Sequence, residues 1–447
     1  MKFRLLNIGL IEDSEITLND LTIVCGQNNT GKTYVTYSIY GFLSMWKELI
    51  DFDLSNNYII ELNENGFCSI DLEEFQENIT SILSNLSKSY TARLGSVFSV
   101  DSDWFDDSMF EVKIDNFILD LDLAFDSKMT SSKKDILQMK KEKDSKILEI
   151  SILNTNSKKP LPHFILEQSI NQALGEIYFH QYFKKPFIIT SERTGISLFY
   201  KELDINKNVM VEHITNNKGK DIDPFKMFTE AISRYAMPVK DNIDYTRELG
   251  DGISKKKSFL YGDREINRYF SDILQGSYKV VNKEVYFMTK KNKKQIPLYF
   301  SSSATKSLME LYFYIKHSAI KGDLLIIDEP ELNLHPDNHR KITRLLAHLS
   351  NKGINIFITT HSDYMIKEFN NLIRLKHSIT NKEKIMKKYG YKEQDILDYK
   401  KITSYINNYG VLSIAPIDNM GMEVDTFDNV LNELSCSMDD IYFNIEN

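Results

Sequence analysis

The sequence predicts an α/β fold with a mixed or parallel sheet, interrupted by a largely helical inserted lobe. Two apolar runs, Asp323-Leu324-Leu325-Ile326-Ile327 and Ile354-Asn355-Ile356-Phe357-Ile358-Thr359, flank a helical stretch over residues 337–351. Near-continuous apolar runs of this length are what strands covered on both faces look like. A third run, Leu21-Thr22-Ile23-Val24-Cys25, leads into a glycine loop and then a helical pattern through Trp46. Strand, helix and strand in succession argue for parallel pairing, because a parallel connection needs a crossover.

The elements follow in order. Phe3-Arg4-Leu5-Leu6-Asn7-Ile8 and Glu15-Ile16-Thr17-Leu18 alternate as short strands, and Val35, Ile39, Phe42 and Leu43 line one face of the first helix. Residues 1–46 therefore read as the first part of a head. From 47 to 184 the composition becomes polar, with helical spacing over 72–86 and 169–183 and a lysine-dense stretch from Lys128 to Lys146 that includes Lys133, Lys134, Lys140, Lys141 and Lys143. This segment is predicted to be the helical insert. A mixed region over about 200–295 carries a basic hairpin candidate, Tyr278–Val281 and Val285–Met288, followed by Lys290, Lys291, Lys293 and Lys294. Residues 185–375 are expected to complete the head. Residues 376–447 are expected to form a helical tail available to a partner or to a dimer.

Composition narrows the class. The 447 residues are 42% hydrophobic and 26% charged, enough to bury a core, and the net charge of −8 disfavours non-specific coating of nucleic acid. Cys25, Cys68 and Cys436 are scattered without metal-ligand spacing, which suggests a reducing cytoplasm. No run approaches the roughly 18 apolar residues of a membrane span, and no signal-peptide core follows Lys2 and Arg4. A cytoplasmic protein without membrane contact is expected.

The chemistry concentrates in two segments. Gly26-Gln27-Asn28-Asn29-Thr30-Gly31-Lys32-Thr33 matches the G-x-x-x-x-G-K-T phosphate loop between a strand and a helix. Its backbone amides would cradle phosphates, Lys32 would reach the β and γ oxygens, and the Thr33 hydroxyl would ligate Mg²⁺. The apolar strand ending at Asp328-Glu329, followed by Pro330-Glu331-Leu332-Asn333-Leu334-His335-Pro336, supplies the second half. Asp328 would hold Mg²⁺ through water, and Glu329 would polarise the attacking water. Paired carboxylates here, without a guanine-reading N-K-x-D element, point to ATP. The next strand ends Thr359-Thr360-His361-Ser362-Asp363, which puts His361 where open α/β sheets place ligands and where it could stabilise charge on the γ-phosphate. Upstream, Ser301-Ser302-Ser303-Ala304-Thr305-Lys306 opens a helix through Ile315. Those serines read either as a helix cap or as a functional element.

These pieces, in this order, resemble the ABC-type ATPase head of the OLD-like, SMC/RecF-like group known as AAA-15 or AAA-21. A further match is Ile188-Ile189-Thr190-Ser191-Glu192-Arg193-Thr194-Gly195, similar to that group's P-A-E-R-x-G strand and turn, with Thr190-Ser191 in place of Pro-Ala. The resemblance spans residues 1–45 and 185–375. It implies ATP sandwiched between two copies of the chain, with Ser302, Ser303 and Lys306 acting in trans as a divergent signature. It assigns no metal-contacting glutamine loop. It also resembles the ATPase component of bacterial antiphage systems such as Septu and PARIS, which implies a separate effector, a nuclease or toxin, encoded nearby. The acids after Ser362 (Glu423, Asp425, Asp428, Asp439 and Asp440) lack the D-x-D arrangement of a Toprim nuclease. A RecF- or SMC-like repair ATPase acting on DNA is the alternative, resting on the lysine runs at 128–146, 255–257 and 290–294.

Overall fold

The computed structural model describes residues 1–131, 134–153, 162–200, 235–250 and 252–444, and the side chains of 131–134 and 425–432 also lie outside the description. The predicted basic side chains of Lys133 and Lys134, and the acids of Asp425 and Asp428, fall outside the described residues.

The strands are β1 (Lys2–Ile8), β2 (Ile11–Thr17), β3 (Leu21–Gly26), β4 (Phe67–Asp71), β5 (Met109–Lys113), β6 (Phe125–Ser131), β7 (Lys134–Lys141) and β8 (Ile147–Ile152). They continue as β9 (Pro186–Ile189), β10 (Gly276–Val281), β11 (Glu284–Thr289), β12 (Gln295–Pro297), β13 (Leu324–Asp328), β14 (Asn355–Thr360), β15 (Ile402–Asn408) and β16 (Val411–Ile414). The central sheet has six strands in the order β16-β15-β3-β14-β13-β9, all parallel except β16 at one edge. The strand-helix-strand reading of the apolar runs is thus realised as an α/β sheet.

Side-chain alternation divides the core. Val24, Leu324, Ile326, Phe357 and Tyr405 face one layer, with the helix Lys32–Leu49 and the insert. Ile23, Cys25, Leu325, Ile327, Ile356 and Ile358 face the other, against the helices Arg264–Leu274, Pro336–Asn351 and Asp363–Arg374. Each fully buried Leu, Ile or Phe contributes about 1.5–3 kcal/mol, so this two-sided burial is what makes the sheet rigid. Rigidity matters because β3, β13 and β14 all deliver their C-terminal ends to the same edge.

Two expectations are corrected. The insert is less helical than predicted: β4, β8, β7 and β6 form a four-stranded antiparallel sheet, and β5 pairs with β1 to complete the N-terminal sheet β2-β1-β5. The lysine-dense stretch is the hairpin of β6 and β7, not a helix. Leu137 and Met139 point inward with period two, toward the same core as Leu148 and Ile150, while Gln138, Lys140 and Glu149 take alternate positions. The tail is likewise not only helical. β15 lies parallel to β3, pairing Ile402 with Leu21 and Asn407 with Gly26, so the head continues past residue 375. A helix does occupy Asp425–Phe443. The helix expected through Ile315 is broken into Ser303–Ser307 and Met309–Phe313, followed by a π-helical turn at Tyr314–Ser318.

Candidate nucleotide site

The phosphate loop leaves β3 at Gly26 and enters the helix at Lys32. Two of its positions admit only glycine. A methyl on Gly26 would meet the Asn407 carbonyl at 2.9 Å, and Gly31, at φ 100°, would drive one to 2.9 Å from Ile11 Cδ1. Asn29 adopts φ 62°, a conformation Asn tolerates, and Gln27, Asn28 and Asn29 are exposed. Thr30 is buried and donates to the Gln27 carbonyl at 2.9 Å. Lys32 Nζ is held over the loop, donating to Gly26 O at 3.0 Å and Gln27 O at 2.6 Å. Burial lowers the Lys32 pKa, while the nearby carboxylates of Glu329, Asp328 and Glu331 favour its charge.

The second half meets the first directly. Thr33 Oγ1 donates to Asp328 Oδ2 at 3.0 Å, and Thr359 at the end of β14 donates to Asp328 Oδ1. Burial raises the Asp328 pKa, against the pull of these two hydroxyls. The next residue turns sharply: Glu329 sits at φ 52°, and its amide donates to both the carbonyl and the hydroxyl of Thr359 at 3.2 Å. A non-glycine residue held in this region is strained and persists only where its surroundings impose it.

His361 Nδ1 lies 3.4 Å from Glu329 Oε1 and 3.6 Å from Glu331 Oε1. Its hydrogen bond to Glu329 raises the imidazole pKa and lowers that of Glu329, each group favouring the charged form of the other. Glu331 is buried and organises this corner, accepting from Thr360 Oγ1 at 2.6 Å and from the His361 amide at 2.9 Å.

The serines stand apart. Ser302 caps the helix Ser303–Ser307 by accepting from the Thr305 amide at 3.2 Å, and Ser302 and Ser303 are exposed with Lys306 half-buried. No described hydrogen bond joins any of the three to the phosphate loop of the same chain. The structure therefore brings Gly26–Thr33, Asp328, Glu329 and His361 together and leaves Ser302, Ser303 and Lys306 outside that cluster.

Reasoning from sequence missed three contributors. Arg193 was noted only as part of a motif, yet it is fully buried and donates to Asp328 O at 2.8 Å, Glu329 O at 2.5 Å, Thr190 O at 2.9 Å and Ser307 O at 3.1 Å. One guanidinium thus ties the strained Glu329 turn to the segment that follows the serines. Thr359 and Glu331 are the others. The signal for them was their placement beside motif residues, but nothing in the spacing says where their side chains point.

An open parallel sheet that delivers a phosphate loop, a strand-end carboxylate pair and a histidine to one edge is the fold of an α/β P-loop ATPase. The chain matches the AAA ATPase domain family AAA_15 over residues 1–366 and belongs to that family. Among solved structures it is similar, at 12% identity and a TM-score of 0.34, to an SMC head bound to the C-terminal winged-helix domain of ScpA, over 92% of this chain and 95% of that one. It is also similar to an SMC head with an extended coiled coil bound to the ScpA C-terminal domain from Pyrococcus furiosus (11%, TM-score 0.32, 97% and 98% covered). The SMC head domain from Thermotoga maritima gives 12%, a TM-score of 0.29, and coverage of 93% and 98%. No curated protein sequence matches the chain.

Proposed function

We propose that this ATPase binds ATP with Mg²⁺ at Gly26–Thr33, hydrolyses it with Glu329 and His361, and completes the site with a second copy of the chain. The observation that carries the reading is the 3.0 Å contact between Thr33 Oγ1 and Asp328 Oδ2. A hydroxyl and a carboxylate converging at the foot of a phosphate loop form the donor set of a hard divalent cation. Among the described residues no group of three or more His, Cys, Asp or Glu side chains could hold a metal ion. Thr33 and Asp328 would thus share the ion with the nucleotide's own oxygens. When bound, Mg²⁺ neutralises charge on the β and γ oxygens.

The chain's residues do the rest. Lys32 leaves its two loop carbonyls for the phosphate oxygens, a stronger charge-assisted partner. Glu329, whose ionised form His361 favours, accepts a hydrogen bond from the attacking water and orients it. His361 lends positive charge on the γ-phosphate side. Ser302 and Ser303, exposed at a helix N-terminus with Lys306 one turn on, are suited to meet the γ-phosphate of the partner's nucleotide.

The output of this cycle is proposed to be control of a separate effector, a nuclease or toxin, in bacterial antiphage defence of the Septu and PARIS kind. Support comes from motif wording and from tail acids that lack a D-x-D pair. The repair-ATPase alternative draws less support. Lys128 and Lys140 pair with Asp135 and Glu142, Lys146 pairs with Glu73, and Lys141 is buried with its ammonium on the carbonyls of Leu121 and Leu123. Among the described lysines of this tract, those paired with the chain's own acids are poorly placed to release counterions from DNA.

Glu329→Gln with ATP is the test, read by native mass and turnover. A trapped ATP-bound dimer with lost turnover is expected. Unchanged turnover and unchanged mass would remove Glu329 from its role. Co-purification with the products of neighbouring genes tests the effector, and a replication or repair operon there would argue for the alternative.

A further inference from the structure

The phosphate loop accounts for the triphosphate and leaves the base without a partner. β15 ends beside that loop, since Asn407 is the register partner of Gly26 and its carbonyl lies against that glycine. The connection from β15 to β16 is a two-residue turn, Tyr409-Gly410, with φ of 49° and 97°. A turn with both central residues at positive φ favours Asn-Gly or Asp-Gly. Tyrosine at the first position is strained there. The turn nevertheless does not relax. Gly410 O accepts from the Glu12 amide at 3.0 Å, and the Gly410 amide donates to Asn407 Oδ1 at 3.1 Å.

Tyr409 is 81% exposed, so burial does not explain the strain. The other turn residue, Gly410, packs against Leu10, 50% exposed, whose carbonyl would lie 2.1 Å from a methyl there. Leu10 Cβ in turn comes within 3.2 Å of the point a methyl on Gly31 would occupy. The turn that carries the exposed Tyr409 thus adjoins the exposed Leu10, and Leu10 adjoins Gly31, so both residues lie on segments that border the phosphate loop. Tyr409 is held in a disfavoured conformation by the bonds of its neighbours while its ring is left to solvent.

We propose that Tyr409, with Leu10 beside it, forms the platform on which the nucleotide base stacks. This rests on the phosphate-loop reading and adds the contact that distinguishes a nucleotide from bare polyphosphate. Stacking on an aromatic ring reads the base's π face, and its removal is worth roughly a 5- to 150-fold change in affinity.

The experiment compares ATP with inorganic tripolyphosphate, both with Mg²⁺, on the full chain by calorimetry. Tyr409→Asn, which suits the turn, is expected to raise the melting temperature of the unliganded protein. It should also weaken ATP by that factor and leave tripolyphosphate unchanged. Tyr409→Phe should bind ATP as the parent does. Equal weakening of both ligands by Tyr409→Asn, or no weakening of ATP, overturns the base platform. Lys32→Ala is the control for the underlying reading, since it should abolish both ligands. If it leaves both intact, the phosphate-loop assignment fails and the base platform falls with it.

Discussion

Arg193 shows how a single side chain sets the geometry of a whole site. A buried guanidinium offers five donors in a planar fork, and here four backbone carbonyls from three segments receive them. A lysine ammonium cannot span that set. Arg193→Lys is expected to cost about 1–3 kcal/mol for each buried carbonyl left without its donor, and to lower turnover more than ATP affinity. Denaturant unfolding and steady-state kinetics would check both. The same pocket holds Glu310, fully buried, whose pKa is pushed up to about 8 by desolvation against the pull of Arg193. A carboxyl that titrates near 4.5 unfolded and near 8 folded binds one more proton in the native state between those values. Stability therefore falls as pH rises through that window, by up to ~1.4 kcal/mol per unit. Glu310→Gln should flatten this slope in melting curves taken from pH 5 to pH 8. An unchanged slope would show that Glu310 is not the group responsible.

At the scale of elements, the helices that follow β13 and β14 are joined by one acid. Glu368 on Asp363–Arg374 is buried and accepts from Arg340 at 2.9 Å and Arg344 at 2.5 Å on Pro336–Asn351. The start of the same helix pair is linked by His339 Nδ1 against Ser362 Oγ at 2.9 Å, directly after His361. These two helices place the carboxylate pair and the histidine relative to each other. Removing one partner of a buried ion pair strands the other charge, so Glu368→Ala is expected to destabilise by roughly 3–5 kcal/mol. Thr359→Val probes the strands instead. It should preserve ATP affinity while reducing Mg²⁺-dependent turnover, because Asp328 and the Glu329 amide each lose a hydroxyl partner. Equal loss of affinity and turnover would mean that Thr359 supports the fold rather than the site.

For the whole molecule, the decisive arrangement is what one chain leaves apart. The phosphate loop and the carboxylates share an edge of the sheet, and the exposed serines lie outside their hydrogen-bonded cluster. If the site is composite, two defective proteins can complement each other. Lys32→Ala supplies intact serines and Ser303→Arg supplies an intact phosphate loop, so a mixture of the two should regain a fraction of parental turnover. Neither alone should turn over ATP above about one hundredth of the parental rate, the scale of a lost transition-state contact. A mixture as inactive as its components would remove the trans assignment of Ser302 and Ser303. No described helix is long and apolar enough to cross a membrane.

The sequence by itself determined the α/β sheet and the loop, because apolar runs and a glycine-lysine-threonine turn are local signals that tertiary context does not overwrite. It also placed Asp328, Glu329 and His361 at strand ends, since a strand's direction decides where its last residues emerge. The insert's sheet was masked by its dense lysines, which blur the period-two alternation of Leu137 and Met139. β15 was hidden because a short strand has no meaning until β3 is beside it. Arg193, Thr359 and Glu331 became visible only in the folded chain, where Arg193 hydrogen-bonds a residue 136 positions away. Tertiary structure alone decided that Thr33 meets Asp328, because contact between segments nearly 300 residues apart in sequence depends on strand order, which no local pattern encodes.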